Sequence, residues 1–253
     1  MIRLILAIKL GAVTLILFSG SIVMLVTAIV TGFRAKRLYR ETILATISTL
    51  SLRVFGIKMT VNHDGPLPQG QVVYIANHSS TIDIFVLTAL RLPNARFFLR
   101  GGLRKILPIG LIGYLVGNFW TVSQEYPERR RQIFSRAART LRQSGESVFL
   151  SPEGERVTGG RIGHFNKGAF HLATDLKAPI VPIFISIPAA IDPGRGFDAK
   201  PGRVEIHIGE PIETRNWSLD ELSTNREAVR RLYVGWNAAR VGRDSGLVVS
   251  LPS

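Results

Sequence analysis

The sequence contains no cysteine, and this absence excludes several kinds of chemistry at once. Disulfide bridges, a thiolate nucleophile and zinc sites built on cysteine are all ruled out. The five histidines do not occur in the H-E-x-x-H spacing of a helical zinc site. We therefore expect no metal site and no resident cofactor, although magnesium held by carboxylates alone is left open.

Acidic residues are also scarce, since 18 Asp and Glu stand against 32 Lys and Arg, for a formal net charge of +14. A chain with this charge is attracted to polyanions such as nucleic acid, anionic lipid headgroups or an acidic protein. No zinc-finger or RNP motif supports nucleic-acid binding, so we expect no nucleic-acid partner. Basic residues cluster at two places, each of which is also explained by a solvated helix face. The clusters are Arg34, Lys36, Arg37 and Arg40, and Arg129, Arg130, Arg131, Arg136, Arg139 and Arg142.

A long apolar run lies near the N-terminus, where residues 10–33 carry no charge. About 20 such residues span the hydrocarbon core of a bilayer, whereas the apolar part of a cleaved signal peptide has only about 7–15 residues. We therefore predict a retained membrane helix. The basic cluster that follows favours the cytoplasmic side for the rest of the chain, and a bacterial inner membrane is the expected location.

A second apolar pattern follows this run. Tyr39, Ile43, Ile47, Leu50 and Val54 recur at helical spacing, and the hydroxyl side chains fall largely between them. This pattern is typical of an amphipathic helix, either docked on the next domain or lying in the membrane interface. The N-terminal segment then contains one spanning helix, or it forms a two-helix hairpin that dips into one leaflet.

From Gly56 onward, short apolar segments alternate with helical patterns. The alternation predicts an α/β fold: a mixed, largely parallel sheet flanked by helices, with an N-terminal membrane-anchoring helical segment. The predicted strands are 58–62, 72–76, 96–99, 119–123, 148–150, 180–187 and 204–208, and the predicted helices are 82–90, 110–116, 128–143, 167–176 and 219–241. The predicted boundaries are an anchor at 1–55, an α/β domain at 56–241 and a tail at 242–253.

Residues 77–83, Asn-His-Ser-Ser-Thr-Ile-Asp, follow a buried strand and lead into a helix. Ligands collect at such positions in open α/β sheets. His78 and Asp83 can meet across the first helical turn, which makes His78 a candidate general base oriented by Asp83. The same segment fits a capping box, in which Ser80 is the N-cap and Asp83 reaches back to it. In that interpretation Asp83 only starts a helix.

A polar, glycine-rich loop follows another predicted strand. It begins with Ser-Pro-Glu-Gly-Glu-Arg at 151–156 and continues to Lys167, where a helix opens. Glycines let a backbone approach a ligand closely, and a helix N-terminus with basic side chains nearby suits an anion such as phosphate. The alternative is an ordinary turn, because no Walker motif is present.

The blocks N-H-x-x-x-x-D at 77–83 and P-E-G-x-R at 152–156, in this order, resemble those of the glycerolipid acyltransferase family. Residues 165–170 and the Val-Pro-Ile at 181–183 resemble two further blocks, so that the resemblance covers roughly residues 58–209. It implies a membrane-bound enzyme that moves an acyl group from a thioester to the hydroxyl of a lysolipid. The expected acceptor is 1-acylglycerol-3-phosphate, giving phosphatidic acid, and the expected co-substrate is acyl-CoA or acyl carrier protein.

The resemblance also implies roles for individual residues. His78 would be the general base and Asp83 the residue that orients it, while backbone N–H groups near Ser80 would stabilise the oxyanion. The residues expected to bind substrate are Gln124, Glu153, Gly154, Arg156 and Lys167.

The chain departs from the family pattern at two positions. Glu155 stands where the family has a threonine, and Gln124 takes the position of an arginine that helps to hold the acceptor's phosphate. Loss of that charge removes a strong charge-assisted contact. The phosphate is then held by Arg156, Arg161 or Lys167, or the acceptor is another lysolipid such as a lyso-aminolipid.

Two other classes of function compete with acyl transfer. A non-catalytic membrane protein that binds anionic lipid would use the same basic faces. A hydrolase with Ser79 or Ser80 as nucleophile is disfavoured, because neither serine lies in a G-x-S-x-G elbow.

Overall fold

A computed structural model describes residues 2–194 and 196–244. The strands are β1 (Ile57–His63), β2 (Val73–Ala76), β3 (Ala95–Arg100), β4 (Phe119–Thr121), β5 (Ser147–Leu150), β6 (Ile180–Ser186) and β7 (Gly202–Ile208). They form one sheet in the order β1-β7-β6-β2-β5-β3-β4. β2 to β6 run parallel to one another, and β7 is antiparallel to β6 and parallel to β1. The predicted mixed, largely parallel α/β sheet is confirmed.

Helices flank the sheet, and the predicted amphipathic segment begins with a π-helical stretch at Leu38–Leu44. The α-helices are α1 (Ile2–Val30), α2 (Ala45–Phe55), α3 (Asp83–Ala89), α4 (Ile109–Val116), α5 (Pro127–Ser144), α6 (Gly168–Leu176) and α7 (Leu222–Asp244). Since α7 continues to Asp244, the first residues of the predicted tail are helical, and the rest of that tail lies outside the described residues.

The two faces of the sheet have separate apolar cores. On one face, Tyr74 and Ala76 of β2 belong to a cluster with residues of α1, α2 and α3. On the other face, Val73 and Ile75 belong to a cluster with residues of α5, α6 and α7. Successive strand residues point to opposite faces, so a strand buried on both sides must be apolar throughout. This explains why the continuous apolar run at 72–76 predicted β2 correctly.

The N-terminal segment packs against the α/β domain, with Val13, Met24 and Ala28 of α1 buried. A Cβ on Gly20 would overlap the Ile47 side chain, so α1 approaches the second helical segment closely. Ser48 in α2 shares a 2.6 Å hydrogen bond with Thr88 in α3. The amphipathic segment is therefore docked on the domain. Among the described residues, α1 is the helix long and apolar enough to cross a membrane, over Arg3–Val30.

A buried cluster of charges joins the segment after α1 to the sheet. Arg40 Nη1 lies 2.6 Å from Glu146 Oε1, and Arg96 Nη1 lies 3.1 Å from Glu146 Oε2. Arg40 Nε also donates to the Val116 carbonyl at 2.7 Å. Burial raises the pKa of Glu146, but the two arginines outweigh it, and the pKa lies below its ordinary value. The carboxylate is therefore charged at neutral pH and is shared by two arginines.

We expect Glu146→Gln to lower the free energy of unfolding by about 3 kcal/mol, because two half-buried or buried guanidinium groups lose their counter-charge. Denaturant unfolding in mild detergent, followed by tryptophan fluorescence, measures the change. Glu210→Gln, at an exposed position, is the matched control. Equal stabilities of the two variants would show that the cluster does not hold the N-terminal segment in place.

Candidate active site

The two loops with candidate catalytic and binding residues meet where the parallel strands end. Residues 77–83 follow β2, and the loop from Ser151 follows its neighbour β5. On the other side of β2, the Asn77 side chain continues the ladder to β6, since its amide donates to the Ile185 carbonyl at 3.0 Å and accepts from the Ile185 N–H at 2.8 Å. Asn77 thus fixes the backbone from which His78 projects.

His78 and Asp83 form the pair that the sequence predicted. His78 Nδ1 lies 2.8 Å from Asp83 Oδ2. The Asp83 side chain is 2 % exposed, whereas that of His78 is 34 % exposed, so the pair has one buried end and one open end. Within the described residues, His78 Nε2 forms no hydrogen bond, which leaves it available to a substrate hydroxyl.

The capping interpretation is also partly right. Asp83 Oδ2 accepts hydrogen bonds from the N–H groups of Ser79 at 2.7 Å and Ser80 at 2.9 Å. The reciprocal half of the box is absent among these residues, because the Ser80 hydroxyl accepts from the Ile82 N–H and donates to Asp192. The same carboxylate oxygen therefore organises the turn and holds the histidine. Its two backbone bonds also engage the Ser79 and Ser80 N–H groups, so these two are not free to bind an oxyanion, and oxyanion stabilisation by other N–H groups near Ser80 stays a prediction.

Glu153 braces the two loops against each other. Its Oε2 accepts the His78 N–H at 2.6 Å, and its Oε1 accepts the Gly163 N–H at 2.7 Å. The residue is 3 % exposed. Burial raises the pKa of Glu153, and the hydrogen bonds from His78 and Gly163 offset part of that rise. The structure shows Glu153 positioning the histidine backbone, and a direct contact with substrate stays a prediction.

Gly154 and Gln124 lie together beside this brace. Gly154 adopts a φ of +73°, in the left-handed region, and a Cβ there would lie 2.8 Å from Asn166 Nδ2 and 3.0 Å from Gln124 Nε2. Both the backbone conformation and the lack of space require glycine. The exposed Gln124 side chain thus adjoins the P-E-G-x-R loop, where the family pattern places an arginine.

The basic residues predicted to bind an anion are exposed. Arg156 Nη1 donates to the Gly194 carbonyl at 3.0 Å, which leaves the rest of its guanidinium free to bind a ligand. Lys167 lies at the first residue before α6. These positions allow an anion to be held beside the His78 loop, and the roles of Arg156, Lys167 and Gln124 remain predictions.

A third loop, after β6, completes the site, and sequence patterns did not indicate that it takes part. Asp192 is buried, accepts a hydrogen bond from the Ser80 hydroxyl and accepts the Gly194 N–H at 2.7 Å. Thr81 Oγ1 donates to the Gly196 carbonyl at 2.7 Å. The loops after β5 and β6 thus fix the heptapeptide from different sides. The proline- and glycine-rich composition after β6 predicted a loop, but not its partner.

Comparison with known proteins finds a family model and relatives that match this part of the chain. A family model described as Acyltransferase matches residues 58–186, which is half of the chain. A 1-acyl-sn-glycerol-3-phosphate acyltransferase of Cocos nucifera is 26 % identical over 166 residues, which cover 65 % of this chain and 53 % of the relative. A chloroplastic enzyme of the same name from Brassica napus is 34 % identical over 142 residues, 55 % of this chain and 40 % of the relative. The chain therefore spans about half of the length of these relatives.

A solved structure is similar over nearly the whole chain. The crystal structure of the 1-acyl-sn-glycerophosphate acyltransferase PlsC from Thermotoga maritima superposes with a TM-score of 0.76 and 21 % identity, covering 93 % of this chain and 96 % of that one. At this identity the likeness establishes the fold. With the family model and the paired His78 and Asp83, it leads to one conclusion: this chain belongs to the Acyltransferase family.

Proposed function

We propose that this protein is an O-acyltransferase that moves a fatty acyl group from a thioester to the hydroxyl of 1-acylglycerol-3-phosphate, giving phosphatidic acid. The observation that carries the proposal is the His78–Asp83 pair, a 2.8 Å contact with a buried carboxylate and an imidazole open to solvent. The names of the relatives support the acceptor. No resident cofactor takes part, since acyl-CoA or acyl carrier protein brings the activated group.

His78 does the proton chemistry in this mechanism. Its Nε2 takes the proton of the acceptor hydroxyl as the oxygen attacks the thioester carbonyl. Asp83 holds Nδ1–H and stabilises the imidazolium that forms. The tetrahedral intermediate then collapses, the C–S bond breaks, and the departing sulfur receives the proton from the imidazolium. Acceptor hydroxyl and thioester react directly, so no acyl-enzyme forms.

The acceptor's phosphate is assigned to Arg156, assisted by Lys167. Both are exposed at the ends of the loop that Glu153 braces against His78. Gln124 lies beside Gly154 and can donate a neutral hydrogen bond in place of an arginine's charge-assisted one. The two departures from the family pattern keep a second acceptor class open, since a neutral Gln124 suits a lysolipid with less negative charge.

Arg156→Ala is expected to raise the apparent KM for lysophosphatidic acid about tenfold, because a charge-assisted contact to phosphate is lost. Steady-state assays with the acceptor dispersed in mixed micelles measure it. Arg203→Ala, at an exposed position on β7, is the control. An unchanged KM in Arg156→Ala would show that Arg156 does not bind the acceptor's phosphate.

The donor is proposed to be an acidic acyl carrier protein that docks on α5. Arg129, Arg131, Arg136 and Arg139 are exposed on this helix, and several of them line a shallow depression. α5 covers the face of the sheet opposite to α1, so its arginines face away from the membrane helix. That placement favours a soluble acidic partner over a lipid surface.

Combining Arg136→Glu with Arg139→Glu is expected to raise the KM for acylated carrier protein about tenfold and to leave that for acyl-CoA unchanged, because charge repulsion acts only on the acidic protein. Arg203→Glu with Arg215→Glu, at exposed positions elsewhere, makes the same change in net charge. If the two double variants have equal KM values for acylated carrier protein, then α5 does not bind the donor.

The N-terminal segment is proposed to enter one leaflet as a hairpin. α1 packs on the docked helical segment through Gly20, while its opposite side exposes Leu4, Ile8, Leu15 and other large apolar residues. A helix that packs against the domain cannot also cross the bilayer perpendicularly unless the domain is pulled into the membrane. The apolar outer side of α1 is therefore assigned to lipid, on the cytoplasmic side of a bacterial inner membrane.

The decisive experiment reconstitutes the full chain in vesicles with a panel of lysolipid acceptors and both donor types. Mass spectrometry of the products should show phosphatidic acid from 1-acylglycerol-3-phosphate. A different major product would show that the enzyme uses another lysolipid acceptor, while the acyl-transfer mechanism would still hold. Tight vesicle binding without turnover of any thioester would favour the non-catalytic lipid-binding alternative.

A further inference from the structure

The loop that precedes α4 presents an apolar tip to solvent. Ile106 and Leu107 are 50 % and 68 % exposed, and Tyr114, on the outer side of α4, is 71 % exposed. Large apolar side chains that are clustered and exposed mark an interaction site more often than those scattered singly. The proposed acyl transfer makes no use of this tip.

The tip is held in place by its own backbone. Ile106 N–H donates to the Leu103 carbonyl at 3.1 Å, and Gly110 N–H donates to the Ile106 carbonyl at 2.8 Å. A Cβ on Gly110 would overlap the carbonyl of Arg104, so the loop folds tightly on itself. The exposure of Ile106 and Leu107 is thus a feature of an ordered loop.

Basic side chains surround the apolar tip. Arg100, Arg104 and Lys105 are all exposed, and within residues 2–194 and 196–244 none of the three forms an ion pair. Apolar residues flanked by unpaired cations are typical of segments that enter the headgroup region of a membrane. Each basic residue near an anionic surface adds attraction that salt screens.

The position of the tip adds an independent argument. Met24 and Ala28 of α1 share an apolar cluster with Ile112 and Leu115 of α4, so α4 lies beside the membrane helix. β3 is parallel to β5 and β5 to β2, so the loop after β3 emerges at the edge of the sheet where His78 lies. The tip therefore adjoins a helix that packs on α1, at the active-site edge of the sheet.

We propose that Ile106 and Leu107 insert into the same membrane leaflet as α1, while Arg100, Arg104 and Lys105 contact anionic headgroups. The inserted tip holds the active-site edge against the bilayer, where a lysolipid acceptor can pass from the leaflet to His78. This inference rests on the proposed function for the identity of the acceptor and for the placement of α1 in the leaflet. Proximity to α1 and the unpaired cations select lipid as the occupant.

The absence of cysteine makes insertion directly measurable. Leu107→Cys, labelled with an environment-sensitive fluorophore and reconstituted in vesicles containing phosphatidylglycerol, should show a blue-shifted emission that lipid-borne quenchers suppress. Asn216→Cys, at an exposed position after β7, should show neither effect. A Leu107 label as accessible to water as that control would overturn the proposal. A shift that grows with protein density at fixed lipid composition would assign the tip to a second copy of the chain and also overturn it.

Activity supplies a second readout. Ile106→Ser combined with Leu107→Ser should raise the apparent KM for a long-chain acceptor in vesicles about tenfold, with turnover of a short-chain, water-soluble acceptor unchanged. Equal losses with both acceptors would place the tip in the catalytic site and contradict insertion. If the unmodified protein transfers no acyl group, the proposed function fails, but the label at position 107 still decides whether the tip inserts.

Discussion

His78→Ala is expected to lower the turnover number for acyl transfer by about 10³-fold or more, with little change in stability. General-base catalysis by a positioned side chain contributes about 10²–10⁴-fold, and the imidazole of His78 is the open end of the pair. Because the His78 backbone, rather than its ring, bonds to Glu153, the brace between the loops survives the substitution. Single-turnover assays with a radiolabelled thioester in vesicles measure the chemical step directly.

The matched control is His63→Ala, at an exposed position at the end of β1. It should retain full activity. If His78→Ala also retains activity, then the base lies elsewhere and the mechanism is wrong. A stable acyl-enzyme trapped from the unmodified protein would instead favour the hydrolase alternative, with Ser79 or Ser80 as nucleophile.

The sheet was largely predictable because its strands are buried on both faces. A strand such as β2 has no polar position, so a run like Val72–Ala76 stands out from its neighbours without knowledge of its partners. The short-range part of the site was predictable for a similar reason. His78 and Asp83 are five positions apart, within one turn of chain, so that the spacing alone brings them together.

The supports of the site were not predictable, because each joins residues that are distant in sequence. Glu153 reaches His78 across 75 positions, and Asp192 reaches Ser80 across 112. No local pattern distinguishes an aspartate in a Pro- and Gly-rich loop that will be buried from one that stays solvated. Glu146 shows the same limit, since its pairing with Arg40 depends on how the N-terminal segment docks.

The sequence allows Asp83 both to cap the helix and to orient His78, and the structure shows how one residue does both. Asp83 Oδ2 is the common acceptor for Ser79 N–H, Ser80 N–H and His78 Nδ1. The turn presents its N–H groups and the imidazole to one point in space. A carboxylate at that point therefore starts the helix and aims the histidine with the same atom.

Asp83→Asn is expected to separate those two roles and to lower the turnover number by about 10²–10⁴-fold. An asparagine whose amide oxygen takes the place of Oδ2 still accepts all three hydrogen bonds, so the turn and the ring orientation are retained. Its amide nitrogen takes the place of Oδ1, which is buried and has no partner among the described residues, so the cost in stability is about 1–3 kcal/mol. What the variant lacks is the negative charge that stabilises the imidazolium.

Asp83→Ala is the companion variant, since it removes the acceptor as well as the charge. It should lose activity to a similar extent and also lower the melting temperature, because the N–H groups of Ser79 and the buried Ser80 are left without this acceptor. Turnover and thermal unfolding are measured for both variants in the same detergent. If Asp83→Asn unfolds at a lower temperature but turns over at the normal rate when folded, then Asp83 serves only the helix. A large loss of turnover in folded Asp83→Asn, with a loss of stability of no more than about 1–3 kcal/mol, requires instead that the charge of Asp83 act through His78.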